Sequence, residues 1–170
     1  MSPVYEEMRE WQRKHGYVDF GGKHVLVCVH RDYFFEFTAP EARFVKIRGC
    51  SALKGRWKQF RYIGGESLDI GAMVRMAQTC KGRPYDYFEL LDFKLADVLG
   101  LRGRVLRWLG NPENGVRVCS TGTAMLTREA GIPYEIDLSA IPPAYWANRP
   151  ETWELHDYSR HFDNLYEEVA

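Results

Sequence analysis

The sequence predicts an α+β fold, an antiparallel sheet with helices packed against it. Three observations predict it. Between residues 23 and 63, four short runs rich in Val, Phe, Tyr and Ile are separated by Gly, Pro and Asp turn signals. Beyond residue 66 the apolar period switches to that of helices. Residues 115–130, GVRVCSTGTAMLTREA, then open on the β-formers Val116 and Val118 and pass through Cys-Ser-Thr-Gly into a helical stripe.

The elements follow in order. Residues 3–14 predict a helix, with Pro3 in its first turn and Val4, Met8 and Trp11 on one face. Glu6 and Glu7 come early and Arg13 and Lys14 late, as the helix dipole prefers. KHVLVCVH (23–30), YFFEFT (33–38), RFVKIR (43–48) and RWKQFRYI (56–63) predict four successive strands of a meander. Ser67 or Asp69 caps a helix running to about Cys80, with Met73, Met76 and Ala77 inward, and Gly82-Arg83-Pro84 breaks it. Residues 85–99 and 105–109 predict further helix, and 111–115 (NPENG) a loop. A helix then starts at about Cys119, with Ser120, Thr121 and Thr123 as cap-type residues, and stops at Gly131. The rest is irregular, with a short strand at 153–155. There is no repeat and no linker composition. The expectation is a single domain: 1–22 helix and loop, 23–63 meander, 66–131 helices, 132–170 irregular tail.

Composition narrows the function classes. Lys plus Arg and Asp plus Glu both number 23, so no basic surplus points to nucleic acid or an anionic membrane. The four cysteines, at 28, 50, 80 and 119, form neither a Cys-x-x-Cys pair nor a disulfide framework, which favours a reducing compartment. The N-terminal stretch is charged rather than apolar, and no run approaches a membrane span. The expected location is cytoplasmic, with a virion or signal-independent export left open. Neither a metal nor a cofactor is called for.

The chemistry-bearing residues start with Cys119. At a helix start the unpaired N–H groups and the dipole favour an anion, hence thiolate over thiol. A lone cysteine there is otherwise a small buried residue, so the chain must also supply a base and an orienter. Of five histidines, only His24 and His30 fall in the sheet. His24 begins its strand after a diglycine, within reach of another element, whereas His30 sits by the turn. Glu36 is the odd residue of FFEF. Burying a carboxylate is costly unless it is paired, and an imidazole would satisfy it and be oriented by it. The alternative is a rim carboxylate facing water. Pairing sets a condition: His24 and Glu36 share a sheet face only if facing residues have an even index sum. A plain two-residue Arg31-Asp32 hairpin gives an odd sum, so the hairpin needs an odd loop or a bulge.

HV at a strand start, an acid-bearing FEF 12 residues on, G-x-P-Y-D at 82–86, V-C-S opening a helix, then G-I and later P-P resemble the circularly permuted NlpC-type papain-like hydrolases. That group includes the YiiX/YaeF-like proteins and the lecithin:retinol acyltransferase-like enzymes, and the resemblance spans roughly residues 23–145. It implies a permuted papain-like fold with Cys119 as nucleophile, His24 as general base and Glu36 as third member. It also implies oxyanion or substrate contacts from Tyr85, whose alternative role is a core tyrosine with a satisfied hydroxyl, and from the helix start at Ser120. Val118 stands where peptidoglycan-cleaving members often carry Asp, and Thr121 where the YiiX-like group often carries Glu. The implied activity is a cysteine hydrolase acting on an amide or ester of a small molecule, peptide, peptidoglycan-like or acyl substrate. The alternatives are a thiol acyltransferase on lipid substrates and a non-catalytic papain-like binding module. Residues 90–109 would line an acyl pocket or, as the simpler reading, pack the core.

Overall fold

The computed structural model describes residues 3–17, 24–50, 58–65, 67–87, 95, 98–99, 118–138 and 141–157. The expected helices at 85–99 and 105–109, the loop at 111–115 and the 90–109 pocket fall largely or wholly outside them. The chain divides into two compact units. One comprises His24–Lys46 and Glu66–Pro143, the other Met1–Lys23, Ile47–Gly65 and Ala144–Ala170. Both are built of antiparallel strands and helices, so the α+β class holds.

The first unit is a three-stranded sheet, β1 (Leu26–His30), β2 (Tyr33–Glu36) and β3 (Arg43–Lys46), with α2 (Ile70–Cys80) and α3 (Cys119–Glu129) against it. Strand alternation sends Val27, Val29, Phe35, Phe37 and Ala42 into the core. There they meet Met73, Ala77 and Cys80 of α2 and Met125 and Leu126 of α3. Phe35 sits edge-on to Phe37 at 5.3 Å and to Phe44 at 4.8 Å. Burying a side chain the size of Phe35 or Leu126 contributes about 1.5–3 kcal/mol relative to leaving it exposed.

The helix ends follow their sequence signals with one exception. Asp69 caps α2, its carboxylate accepting the Ala72 N–H at 2.8 Å. Gly131, just past α3, has φ +102°, which costs least at glycine. The exception is the start of α3. The cap-type residues Ser120, Thr121 and Thr123 lie inside the helix, and Val118 is the N-cap, with no side-chain cap bond. Thr127 turns its hydroxyl back on the Thr123 carbonyl at 2.9 Å, a bond that satisfies a hydroxyl inside a helix. All of Cys119–Thr127 is buried, so α3 is a core helix rather than a surface one.

The second unit holds α1 (Pro3–Lys14) and a two-stranded sheet of β4 (Lys58–Tyr62) and β5 (Trp153–Asp157). The fourth strand of the expected meander is therefore not in it. A 3-10 turn at Ile47–Gly49 follows β3, and β4 pairs with β5 instead, with Arg61 opposite Glu154 and salt-bridged to it. Period-two alternation identifies a strand but not its partner. Trp153 meets Tyr62 at 5.4 Å and Trp146 at 6.4 Å. Buried Gln12 of α1 accepts the Ala144 N–H at 2.9 Å. No helix among the described residues is long and apolar enough to cross a membrane.

Candidate active site

His24, Glu36, Tyr85, Cys119 and Ser120 all belong to the first unit. The β1–β2 register decides whether the first two can meet. Leu26 faces Glu36, Val27 faces Phe35 and Cys28 faces Phe34, all with even index sums. At the turn His30 faces Tyr33, an odd sum, and the register shifts between Cys28 and His30. A β-bulge thus supplies the parity that a two-residue turn lacks. Glu36 lies directly across from Leu26, two residues along from His24, so His24 and Glu36 share a face as diagonal neighbours.

The contact is made. His24 donates Nε2–H to Glu36 Oε2 at 3.1 Å. Glu36 is only 5 % exposed, and its second oxygen, Oε1, accepts from Arg43 Nε at 2.8 Å. Arg43 faces Glu36 across the β2–β3 ladder. Its flank is fixed by the neighbouring Ala42, which exchanges backbone hydrogen bonds of 2.8 Å with the 82–83 turn. The carboxylate therefore has one cationic partner on each oxygen. Burial alone would raise its pKa, but hydrogen bonds and charge from His24 and Arg43 prevail and hold it below the ordinary carboxylate value.

His24 joins Glu36 to Cys119. Burial opposes a charged ring, yet hydrogen bonds to the Cys119 sulfur and to Glu36, with the negative charge of both, push its pKa up to about 10. Nε2 is taken by Glu36. The ring is thus held between sulfur and carboxylate, the order acid–imidazole–thiol of a nucleophilic triad.

Cys119 is positioned by α3, of which it is the first residue. The first turn-closing bond runs from Gly122 N to Val118 O at 3.0 Å. The N–H groups of Cys119 and Ser120 precede it at the helix start, where backbone donors lie ahead of the first intrahelical bond. Gly122 seats the helix on Phe37: a Cβ there would overlap the Phe37 ring. Absence of a side chain at this position lets the helix start approach the sheet carrying Glu36.

The remaining expected residues are placed as follows. Ser120 is buried in the first turn. Tyr85 is held on the β2–β3 connection, its N–H donating to Pro40 O at 3.1 Å, with Tyr87 stacked edge-on at 5.3 Å. His30 lies exposed at the hairpin end, where it meets Asp32. All four cysteines are free. Cys28 is exposed, and partial burial pushes its thiol pKa up against the opposing effect of the His30 backbone bond.

Two contributors escaped the sequence reading. Arg43 appears there only as the polar start of an alternating strand. The available signal is Glu36 itself, since a carboxylate inside FFEF needs a cation and Arg43 is the first one past the turn. Gly122 reads in sequence as part of the lead-in to the helix and lies inside it. A glycine inside a helix costs about 1 kcal/mol relative to alanine and so asks for a packing reason. Comparison with known proteins returns no matching family model, no matching curated protein and no matching solved structure.

Proposed function

We propose that the protein is a cysteine hydrolase that cleaves an amide or ester through a thioester acyl-enzyme. The observation that carries this reading is the convergence of Cys119 and Glu36 on one imidazole, His24. In the proposed reaction the Cys119 sulfur attacks the acyl carbon. The developing oxyanion lies at the start of α3, where the N–H groups of Cys119 and Ser120 are directed, and the Tyr85 phenol is a further donor. His24, protonated up to about pH 10, gives its proton to the departing amine or alcohol. Acylation removes the negative charge from sulfur and with it part of the hold on that proton. The now neutral ring then takes a proton from water, whose oxygen attacks the thioester carbon; collapse breaks the C–S bond, releases the acid and returns the sulfur and the ring proton to their starting state. Glu36 holds the ring and stabilises its charged form throughout. A permuted papain-like arrangement, with the base ahead of the nucleophile in sequence, is part of this proposal. It is supported by a core helix opening on Cys119 beside an antiparallel sheet whose first strand begins two residues past His24.

Brief iodoacetamide treatment at pH 7 followed by peptide mapping tests it. Cys119 should alkylate ahead of Cys28, Cys50 and Cys80, although Cys28 is the exposed one. His24→Ala should remove that advantage, and Cys119→Ala should abolish turnover of an activated ester. Preferential labelling of Cys28 in the wild-type protein would overturn the reading.

A further inference from the structure

Glu36 is a buried carboxylate whose two oxygens are divided between two cations, His24 on Oε2 and Arg43 on Oε1. We propose that Arg43 is a fourth member of the site, a positioning residue that acts on His24 only through Glu36. The proposal rests on the Cys119–His24–Glu36 reading and adds a residue to it.

Geometry supports it at each link. Arg43 and Glu36 are facing partners in the β2–β3 ladder, so their Cα atoms are fixed relative to one another by the sheet. The contact is made by Nε, the guanidinium nitrogen nearest the backbone, at 2.8 Å. A lysine has no donor there, and its ammonium lies at the end of a flexible stem. The Glu36 side chain is 7 % exposed and that of Arg43 51 %. Without Arg43, Oε1 would be buried with no charged donor. A carboxylate in that condition either takes a proton or rotates toward water. Both outcomes withdraw Oε2 from the His24 ring.

The groups around the pair are Cys119 and Glu36 on His24, and His24 and Arg43 on Glu36. Along this row Glu36 lies between two cations, His24 and Arg43. That order separates positioning from simple charge. If Arg43 acted on His24 only through space, it would repel the imidazolium, and its removal would raise the His24 pKa. If it acts by holding Glu36, its removal lowers that pKa. The signs are opposite.

The test is an NMR titration of the His24 ring in the full chain, which needs no substrate. In Arg43→Gln the titration should move down by about one pH unit or more, the scale of losing a close opposite charge. Arg43→Lys keeps the charge and changes the fork, so it should move the same way by less. It also serves as the readable variant if Arg43→Gln does not fold. On a Glu36→Gln background, Arg43→Gln should have no further effect on His24, since the two act as one unit. A rise in the His24 pKa, or an unchanged titration in both Arg43 variants, would overturn the proposal while leaving the triad standing. An unchanged titration in Glu36→Gln alone would overturn the triad reading beneath it.

Discussion

Glu36 is the residue on which the site's electrostatics turn. Its burial would be unfavourable for an isolated charge, and it is tolerated because each oxygen has a cation. Glu36→Gln tests what the carboxylate does, because the amide has nearly the same shape. A neutral amide supports an imidazolium less and can present its N–H₂ to the ring, which permits the wrong tautomer. Turnover of an activated ester should fall by about 10- to 10⁴-fold, the range for orienting acids and their supporting shell. The melting temperature separates this from a folding defect. Full activity in a folded Glu36→Gln would reduce the residue to a structural partner of Arg43. A double change of His24 and Glu36 should cost little more than His24→Ala alone, since residues acting as a unit are not additive.

Two local devices bring the elements carrying these residues into contact. The first is the bulge between Cys28 and His30, which corrects the parity of the hairpin. The second is Gly122, which lets α3 rest on Phe37. Gly122→Ala should destabilise the protein by about 1–3 kcal/mol, as overpacking of a filled core does. It should also slow Cys119 alkylation, because any retreat of α3 carries the sulfur away from His24. Gly65→Ala is the control, since a Cβ there meets nothing within 4 Å. Equal effects of the two substitutions on the denaturation midpoint would show that the Phe37 contact is soft. These devices also show what the sequence made legible. Among the described residues, the strands and the helices at 3–14, 70–80 and 119–129 are readable from apolar period, and the need for an odd loop or bulge follows from parity alone. The pairing of β4 with β5 was not readable, because alternation constrains a strand's faces and leaves its neighbour open. Nor was the cap of α3, where three residues of cap type follow a Val that takes the N-cap position through backbone geometry. Cys119, His24 and Glu36 could be singled out because each is chemically out of place where it stands. Arg43 could not, because an arginine at a strand start looks ordinary until its ladder partner is known.

At the scale of the whole molecule, the site couples stability to pH in two directions. His24 has a folded-state pKa of about 10 against an ordinary 6.5, so the folded chain binds that proton more tightly than the unfolded chain does. The stabilisation it gives is complete below about pH 6.5 and is lost as pH rises toward 10. Glu36 has its pKa lowered from 4.5, so its contribution is complete above that value and is lost as pH falls through the lower folded value. Together they set a window of greatest support between about pH 4.5 and 6.5. The slope for one proton is at most about 1.4 kcal/mol per pH unit. The quantity to measure is the unfolding free energy of the wild type minus that of His24→Asn, followed from pH 5 to 10 by denaturant titration. The difference should be largest near pH 6 and shrink steadily toward pH 10. The Glu36→Gln difference should instead shrink below about pH 4.5. A His24→Asn difference that stays constant from pH 6 to 10 would mean that the ring carries no extra proton in the folded state, and the acid–imidazole–thiol order would then lack its charged centre.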